Sequence, residues 1–92
     1  VLLSMAQNRP NPFNPHTSIS YSLPKPGRVT ITVYDVRGAH VATLVNAELS
    51  AGEQIVEWHG VDDRGIPVPS GIYFAQLDTD QGIRTVKVTL AR

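Results

Sequence analysis

The chain has 92 residues, of which 41% are hydrophobic and 17% are charged, with eight basic side chains, eight acidic ones and no cysteine. This length fits one domain with a modest core. The zero net charge argues against nucleic acid or an anionic lipid surface as the main partner. No apolar run approaches the roughly 18 residues of a membrane span. The lack of cysteine excludes disulfides, zinc–thiolate sites and thiol catalysis, and it fits either a reducing cytosol or an export route.

Both ends of the chain are informative. The chain starts at Val1 rather than Met and shows no signal peptide, as expected of a fragment whose targeting signal lies upstream. Residues 1–34 and the last nine residues carry only basic charges, whereas residues 48–63 carry only acidic ones. Solvated faces and loops are the favoured interpretation of this pattern. The alternative is that an acidic loop region and a basic terminal edge are used for docking.

The first half of the chain alternates apolar and polar residues with period two, and helical spacing is almost absent. From Thr17 to Leu23, three apolar residues alternate with serines, which predicts a half-buried strand. Arg28–Val36 and His40–Val45 are predicted to form a hairpin. Their connection, Asp35-Val36-Arg37-Gly38, is typical of a tight turn, since Asp caps its own backbone and Gly takes a positive φ.

The second half continues the strand pattern. Asn46–Gly52 is predicted to be a connection, and Gln54–Trp58 a strand with Val56 and Trp58 pointing inward. His59–Ser70, with its glycines and prolines, is the longest predicted loop. A second hairpin is predicted from Gly71–Leu77 and Ile83–Leu90 around the turn Asp78–Gly82.

These elements indicate an all-β fold, an immunoglobulin-like antiparallel β-sandwich of six to seven strands with Trp58 at the centre of the core. Val1–Met5 is either the seventh strand or the remnant of a linker. We expect residues 1–15 to be a linker and a Pro/Asn-rich arm, and residues 16–92 to be the sandwich.

Residues that carry chemistry are few and scattered. His16, His40 and His59 lie far apart on separate predicted elements, without the spacing of a zinc site. Ser70 lacks the G-x-S-x-G context of a hydrolase nucleophile. Six aromatic rings are present in total, and core packing is expected to take most of them. We therefore expect no enzyme activity, no metal and no cofactor.

The aspartates have a structural and a metal-binding interpretation. The run Asp78-x-Asp80-x-Gly82 resembles the start of a calcium loop, but its Gly is fifth and its twelfth residue is Thr89, so a hairpin turn is favoured. Asp62 and Asp63, with Asp35 nearby, are either loop-capping residues, the simpler account, or a surface calcium site. As neighbours on the chain, Asp62 and Asp63 make a poor acid–base pair.

A Pro/Asn-rich arm precedes the first predicted strand. It places three prolines and three asparagines around one phenylalanine, and Phe13 is expected to pin the arm to the edge of the sandwich. The motif comprises Asn8, Pro10, Asn11, Pro12, Phe13, Asn14 and Pro15.

This arm resembles the opening N-x-P-N-P-F-N-P of the type A C-terminal sorting domains of the type IX secretion system. Further motifs follow in the same order, over a range from about Gln7 to Arg92: Thr17–Pro24, Val33–Gly38, Leu44-Val45, Ala51-Gly52, Trp58–Asp62 and Val68–Phe74. The family often has Asp where His59 stands. The pattern is also similar to the immunoglobulin-like domain of the flagellar hook-cap protein.

The resemblance implies a sorting signal that directs a larger passenger, N-terminal to this chain, to the cell surface or the medium. The implied partners are the type IX translocon and a surface sortase, and the route passes through the periplasm. Cleavage would fall near or before Val1–Ser4. Recognition would involve the last strands, with Gly71, Tyr73, Lys87, Val88, Leu90 and Arg92 as the candidate residues. The alternatives are a structural or interaction module (a spacer, filament subunit or hook-cap-like domain) or a carbohydrate-binding accessory domain.

Overall fold

The computed structural model describes residues 2–92, and every regular element in that range is a β-strand. Alternation of buried and exposed side chains accounts for the strands, because successive residues of a strand point to opposite faces. The seven strands are β1 Ser4–Met5, β2 Thr17–Leu23, β3 Gly27–Asp35, β4 His40–Leu49, β5 Gly52–Trp58, β6 Gly71–Thr79 and β7 Gly82–Leu90.

The strands form two antiparallel sheets. One sheet has three strands in the order β1-β2-β5, and the other has four in the order β4-β3-β6-β7. The predicted hairpins β3–β4 and β6–β7 are both present, and they meet through the β3–β6 pairing. The predicted immunoglobulin-like sandwich is thereby confirmed. Within residues 2–92 no helix is long and apolar enough to cross a membrane.

The inner faces of the two sheets supply the core. Trp58 lies at its centre, with its ring 5.4 Å from the ring of Phe13 and 5.2 Å from that of Tyr73. The Trp58 indole N–H donates a 2.9 Å hydrogen bond to the carbonyl of Val61, so the ring that fills the core also fixes the loop that follows β5. The core has two clusters of buried residues: Phe13, Ile19, Val33, Trp58, Tyr73, Ala75, Val88 and Leu90 in one, and Leu3, Tyr21, Leu23, Val29, Ile31 and Leu77 in the other.

Two predicted connections are longer than the observed ones. The turn predicted at Asp78–Gly82 comprises only Asp80 and Gln81, because β6 continues to Thr79 and β7 begins at Gly82. In the other case, β4 does not end at Val45. It continues to Leu49, and Ala47 and Leu49 pair with Val29 and Gly27 of β3. A break in the register near Ile31 adds one residue to β4 and interrupts the simple alternation, as a β-bulge does. The predicted connection from residue 46 to 52 therefore shrinks to Ser50 and Ala51.

The start of the chain joins the sandwich. Ser4 and Met5 pair with Ser22 and Tyr21 of β2, and Leu3 is buried in the core. Residues 1–5 are predicted to be either a strand or a linker remnant, and Ser4 and Met5 form a strand. Val1 lies outside the described range. The boundary between a linker with an arm and a sandwich stays a prediction.

Candidate interaction surfaces

The Pro/Asn-rich arm is attached to the outer edge of β7. Phe13 is only 1% exposed, and its backbone bridges the end of β7: its N–H donates to the carbonyl of Thr89 (3.0 Å), and its carbonyl accepts the N–H of Ala91 (2.9 Å). The side-chain oxygen of Asn11 accepts the N–H of Thr89 at 3.0 Å. Phe13 is therefore the anchor that the sequence predicts, and the arm occupies the C-terminal part of an otherwise open sheet edge.

A second set of bonds fixes the arm to β2. Asn8 is buried, and its side-chain amide donates to the hydroxyl of Thr17 and to the carbonyl of Pro10, both at 3.0 Å. The Thr17 hydroxyl donates in turn to the same Pro10 carbonyl at 2.8 Å. Buried polar groups are costly unless they are paired, so this closed set of bonds explains an asparagine at this position. The remaining arm residues Pro10, Pro12, Asn14 and Pro15 are exposed.

The candidate recognition residues of the last hairpin fall into two classes. Three of them, Tyr73, Val88 and Leu90, are buried in the core. Their side chains stabilise the hairpin and are not accessible at its surface. Lys87 is exposed on the outer face of the sheet, and Gly71 is half-buried at the start of β6. Whether a translocon reads this hairpin stays a prediction.

Arg92 is bound within the chain. Its Nε donates to the carbonyl of Val68 at 2.7 Å, its Nη2 donates to the carbonyl of Gly60, and its backbone N–H donates to the Ser70 hydroxyl at 2.9 Å. A Cβ on Gly60 would lie 2.8 Å from that Nη2. The guanidinium therefore fastens the long loop between β5 and β6 to the end of the chain.

The backbone of β7 is partly free. Thr89 directs its N–H and carbonyl outward to the arm, and residues alternate along an antiparallel strand, so Thr85 and Ile83 also direct theirs outward. Gln7 covers the carbonyl of Lys87 through its side-chain amide. The Arg84 guanidinium covers the carbonyl of Ile83 at 2.8 Å. Within residues 2–92, the stretch of edge where an added strand can pair is therefore centred on the outward N–H and carbonyl of Thr85.

Two loops of this domain have the same sequence pattern and the same conformation. Asp35-Val36-Arg37-Gly38 and Asp62-Asp63-Arg64-Gly65 both follow D-x-R-G. In each turn, Oδ1 of the first Asp accepts the backbone N–H groups two and four residues later, at 2.9–3.0 Å. Each Gly donates its N–H to the carbonyl of that Asp, and the two Gly φ angles are 83° and 81°. Only the first of these turns is predicted from the sequence, although the repeated D-x-R-G is a signal for both.

The same hydrogen bonds hold the carboxylates ionised. Backbone donation from Ala39, and less strongly from Arg37, lowers the pKa of Asp35. Backbone donation from Ile66, followed by the side chain of Arg64, lowers the pKa of Asp62. The loop-capping account of these aspartates is confirmed.

Asp63 caps a sheet edge. One of its oxygens accepts the N–H of Thr43 in β4, and the other lies 2.8 Å from Nε2 of His40. Donation from the Thr43 backbone, followed by the His40 ring, lowers the pKa of Asp63. The carboxylate thus caps the outward-facing N–H of Thr43, which would otherwise be free to pair with another strand.

A groove runs between the two D-x-R-G turns. One hollow of about 400 Å³ lies beside the first turn and is lined by Val36, Val41, Val68, Pro69 and Ile72, among others. A second hollow of about 320 Å³ lies beside the turn at residues 62–65 and shares Val41 and Val68 with the first. The two turns therefore flank one groove with an apolar floor at a single end of the sandwich.

The histidine prediction is wrong for one pair. His16 and His59 have ring centroids only 5.5 Å apart, because Thr17 pairs with Trp58 and the residues that flank this pair come together. Glu57 lies 3.5 Å from His59. Among residues 2–92, no three His, Asp or Glu side chains gather closely enough to hold a metal ion.

Comparison with known proteins identifies the type of domain. Residues 13–89 match the FlgD Ig-like domain family. FlgD from P. aeruginosa has a similar structure, with a TM-score of 0.59 and 29% identity over 82% of this chain and 60% of that one. No curated protein matches the chain.

A second similar structure is PorZ of Porphyromonas gingivalis, a surface component of the type IX secretion system. It has a TM-score of 0.57 and 15% identity over 98% of this chain, which corresponds to 11% of PorZ. This likeness concerns the fold. The chain thus spans 60% of the FlgD structure and about one tenth of PorZ.

Proposed function

Since the chain belongs to the FlgD Ig-like domain family, we propose that it is a non-catalytic interaction module that a larger protein uses to dock onto another protein. The family match over residues 13–89 is the observation that carries this proposal. The larger protein is inferred because similar domains make up only part of the chains that contain them.

The way the loops are fastened supports a docking role. Trp58 holds the start of the loop between β5 and β6, Arg92 holds its end, and Asp63 ties its middle to β4. A surface that is already ordered loses less entropy when it binds, so it gains affinity from the same contacts. The domain therefore presents a preorganised surface.

An exchange experiment tests the docking role. In the parent protein, the domain is replaced by an unrelated β-sandwich of equal length, and co-purification of the parent with its native assembly is measured. We expect the exchanged parent to lose its partner while it stays folded. If the exchanged parent assembles normally, the domain is only a spacer and the proposal fails.

A type IX sorting signal is the more specific candidate. It is supported by the arm that fastens Phe13 to β7, since the same N-P-F-N-P run carries the resemblance to sorting domains, and by the fold likeness to a type IX component. In this proposal the passenger lies N-terminal to the domain, and the partners are the translocon and a surface sortase. The location would be the periplasm in transit, and then the outer-membrane surface or the medium.

Strand addition at the open edge of β7 is the recognition mode that this geometry favours. Backbone pairing tolerates sequence variation, as required of a signal attached to different passengers. Thr85 directs its backbone groups outward, whereas Arg84 covers the carbonyl of Ile83 and the arm covers the edge near Thr89.

Two proline variants separate recognition from folding. Thr85→Pro removes an outward N–H and preserves the β6–β7 ladder, whereas Val86→Pro removes an inward N–H that pairs with Ala75. With residues 1–92 fused to a reporter in a type IX-competent cell, we expect Thr85→Pro to remain folded and reduce export. Val86→Pro is expected to unfold. A folded Thr85→Pro domain exported at the original rate would refute recognition by strand addition, and a wild-type fusion retained in the periplasm would refute the sorting role.

A further inference from the structure

The paired D-x-R-G turns have unequal exposure of their positive and negative charges. In the first turn the Arg37 side chain is 86% exposed and that of Asp35 only 22%. In the second, the values are 75% for Arg64 and 19% for Asp62. The Asp35 and Asp62 carboxylates are folded against backbone N–H groups, while each guanidinium extends into solvent. Asp63, the other acid of the second turn, is 53% exposed and lies 2.8 Å from His40. The two arginines are therefore the most exposed charged side chains of the turns.

The groove between the turns supplies the apolar part of a binding surface. Val36 and Ile72 are among the exposed large hydrophobic residues of the described chain, and both line the hollow beside the first turn. Val41 and Val68 continue the floor to the second turn. Exposed apolar groups gathered in a groove with a polar rim are typical of a protein-binding site.

We infer that this groove binds an extended peptide segment of a partner protein in which apolar and acidic residues alternate. Apolar side chains of the segment lie on Val41 and Val68, and its carboxylates meet Arg37 and Arg64. Alternate residues of an extended segment point to opposite sides, so such a segment can offer apolar groups to the floor and acidic ones to the rim. The occupant follows from charge complementarity: the two arginines are the most exposed charged groups of the turns, and the carboxylate of Asp63 is already bonded to His40 and to the N–H of Thr43. This inference rests on the proposed docking role and specifies its surface and partner chemistry.

The test uses a fluorescein-labelled hexapeptide of alternating leucine and glutamate, with a leucine–lysine hexapeptide as the comparison. Binding to the 92-residue chain is measured by fluorescence anisotropy, and its location by backbone chemical shifts. We expect the acidic peptide to bind and to shift resonances in residues 36–41 and 62–72. The basic peptide is expected to bind at least about tenfold more weakly.

Matched charge reversals test the rim. Arg37→Glu with Arg64→Glu changes two exposed arginines at the groove, and Lys25→Glu with Arg84→Glu makes the same change in net charge at the other end of the sandwich. Each single reversal at the groove is expected to weaken binding about threefold, and the double reversal about tenfold, because an exposed ion pair contributes about this much to affinity. The control pair is expected to change binding less than about twofold.

Three results would overturn the inference: no binding of the acidic peptide at millimolar concentration, equal weakening by both double variants, or shifts that map to the β7 edge. Each leaves the docking role to be judged by the domain exchange in the parent protein. Loss of the partner on exchange, combined with no peptide binding in the groove, would mean that the module docks through another surface.

Discussion

Replacement of Phe13 by alanine tests whether the arm is part of the folded domain. The ring is 1% exposed and packs 5.4 Å from the ring of Trp58. Truncation of a buried Phe to Ala removes its transfer free energy and leaves a cavity, at a cost of about 3–5 kcal/mol. A domain of this size has a free energy of unfolding of about 5–15 kcal/mol, so the loss would be a large share of the total.

Urea denaturation followed by fluorescence measures this loss, because Trp58 is the single tryptophan of the chain and contacts the altered site. With an m-value of about 1.5 kcal/mol per molar urea, a loss of about 3 kcal/mol lowers the midpoint by about 2 M. The matched control is Asn14→Ala, an exposed arm residue next to Phe13, which is expected to change stability by less than about 0.5 kcal/mol. A Phe13→Ala loss below about 1 kcal/mol would refute the role of the arm as a core element.

Three further measurements test the loops. The folded-state pKa of Asp62 lies below its unfolded value, so the stability that this carboxylate contributes is complete above the unfolded pKa, near 4, and is lost as the pH falls through the folded pKa. In thermal melts from pH 7 to pH 2.5, the melting temperature of Asp62→Ala should therefore decrease less steeply below pH 4 than that of the wild type. Arg92→Ala should speed hydrogen exchange in residues 60–70, and an equal effect from Lys87→Ala would contradict the fastening role of Arg92. Gly60→Ala should cost more than Gly38→Ala in a urea titration, because both have positive φ but only the first meets a close neighbour; equal losses would show that the contact with Arg92 does not matter.

The local pattern predicts most of the sheet, because one face of most strands is buried. The alternation in β2 and β3 follows directly from the two faces of a half-buried strand. In β4 the alternation is interrupted at Leu44, the residue added by the register break, and it resumes over Val45–Leu49. It leaves residues 1–5 undecided between a strand and a linker, because a two-residue strand depends on its partner rather than on its own sequence.

Proximity across strands explains what the sequence did not reveal about the candidate surfaces. His16 and His59 are separated by 43 positions, and only the pairing of β2 with β5 brings them together. The groove between the D-x-R-G turns depends likewise on which ends of the sheets coincide. The burial of Tyr73 and Val88 follows from alternation in the last hairpin, but the attachment of Arg92 to the loop carbonyls depends on tertiary placement.

The bridge between the arm and the last strand has a mechanical consequence. Phe13 and Leu90 form a parallel β-bridge. Tension that pulls the start and the end of the domain apart therefore acts along the strand direction, perpendicular to the hydrogen bonds between the arm and β7. The bonds that link Phe13 to Thr89 and Ala91, and Asn11 to Thr89, then carry the load together and break together, instead of opening one after another. β1 and Asn8 precede Phe13 and are bound to β2, so tension on the start of the chain loads those contacts first. Under tension from a large attached protein, the domain is then expected to resist extension until the arm shears away from β7.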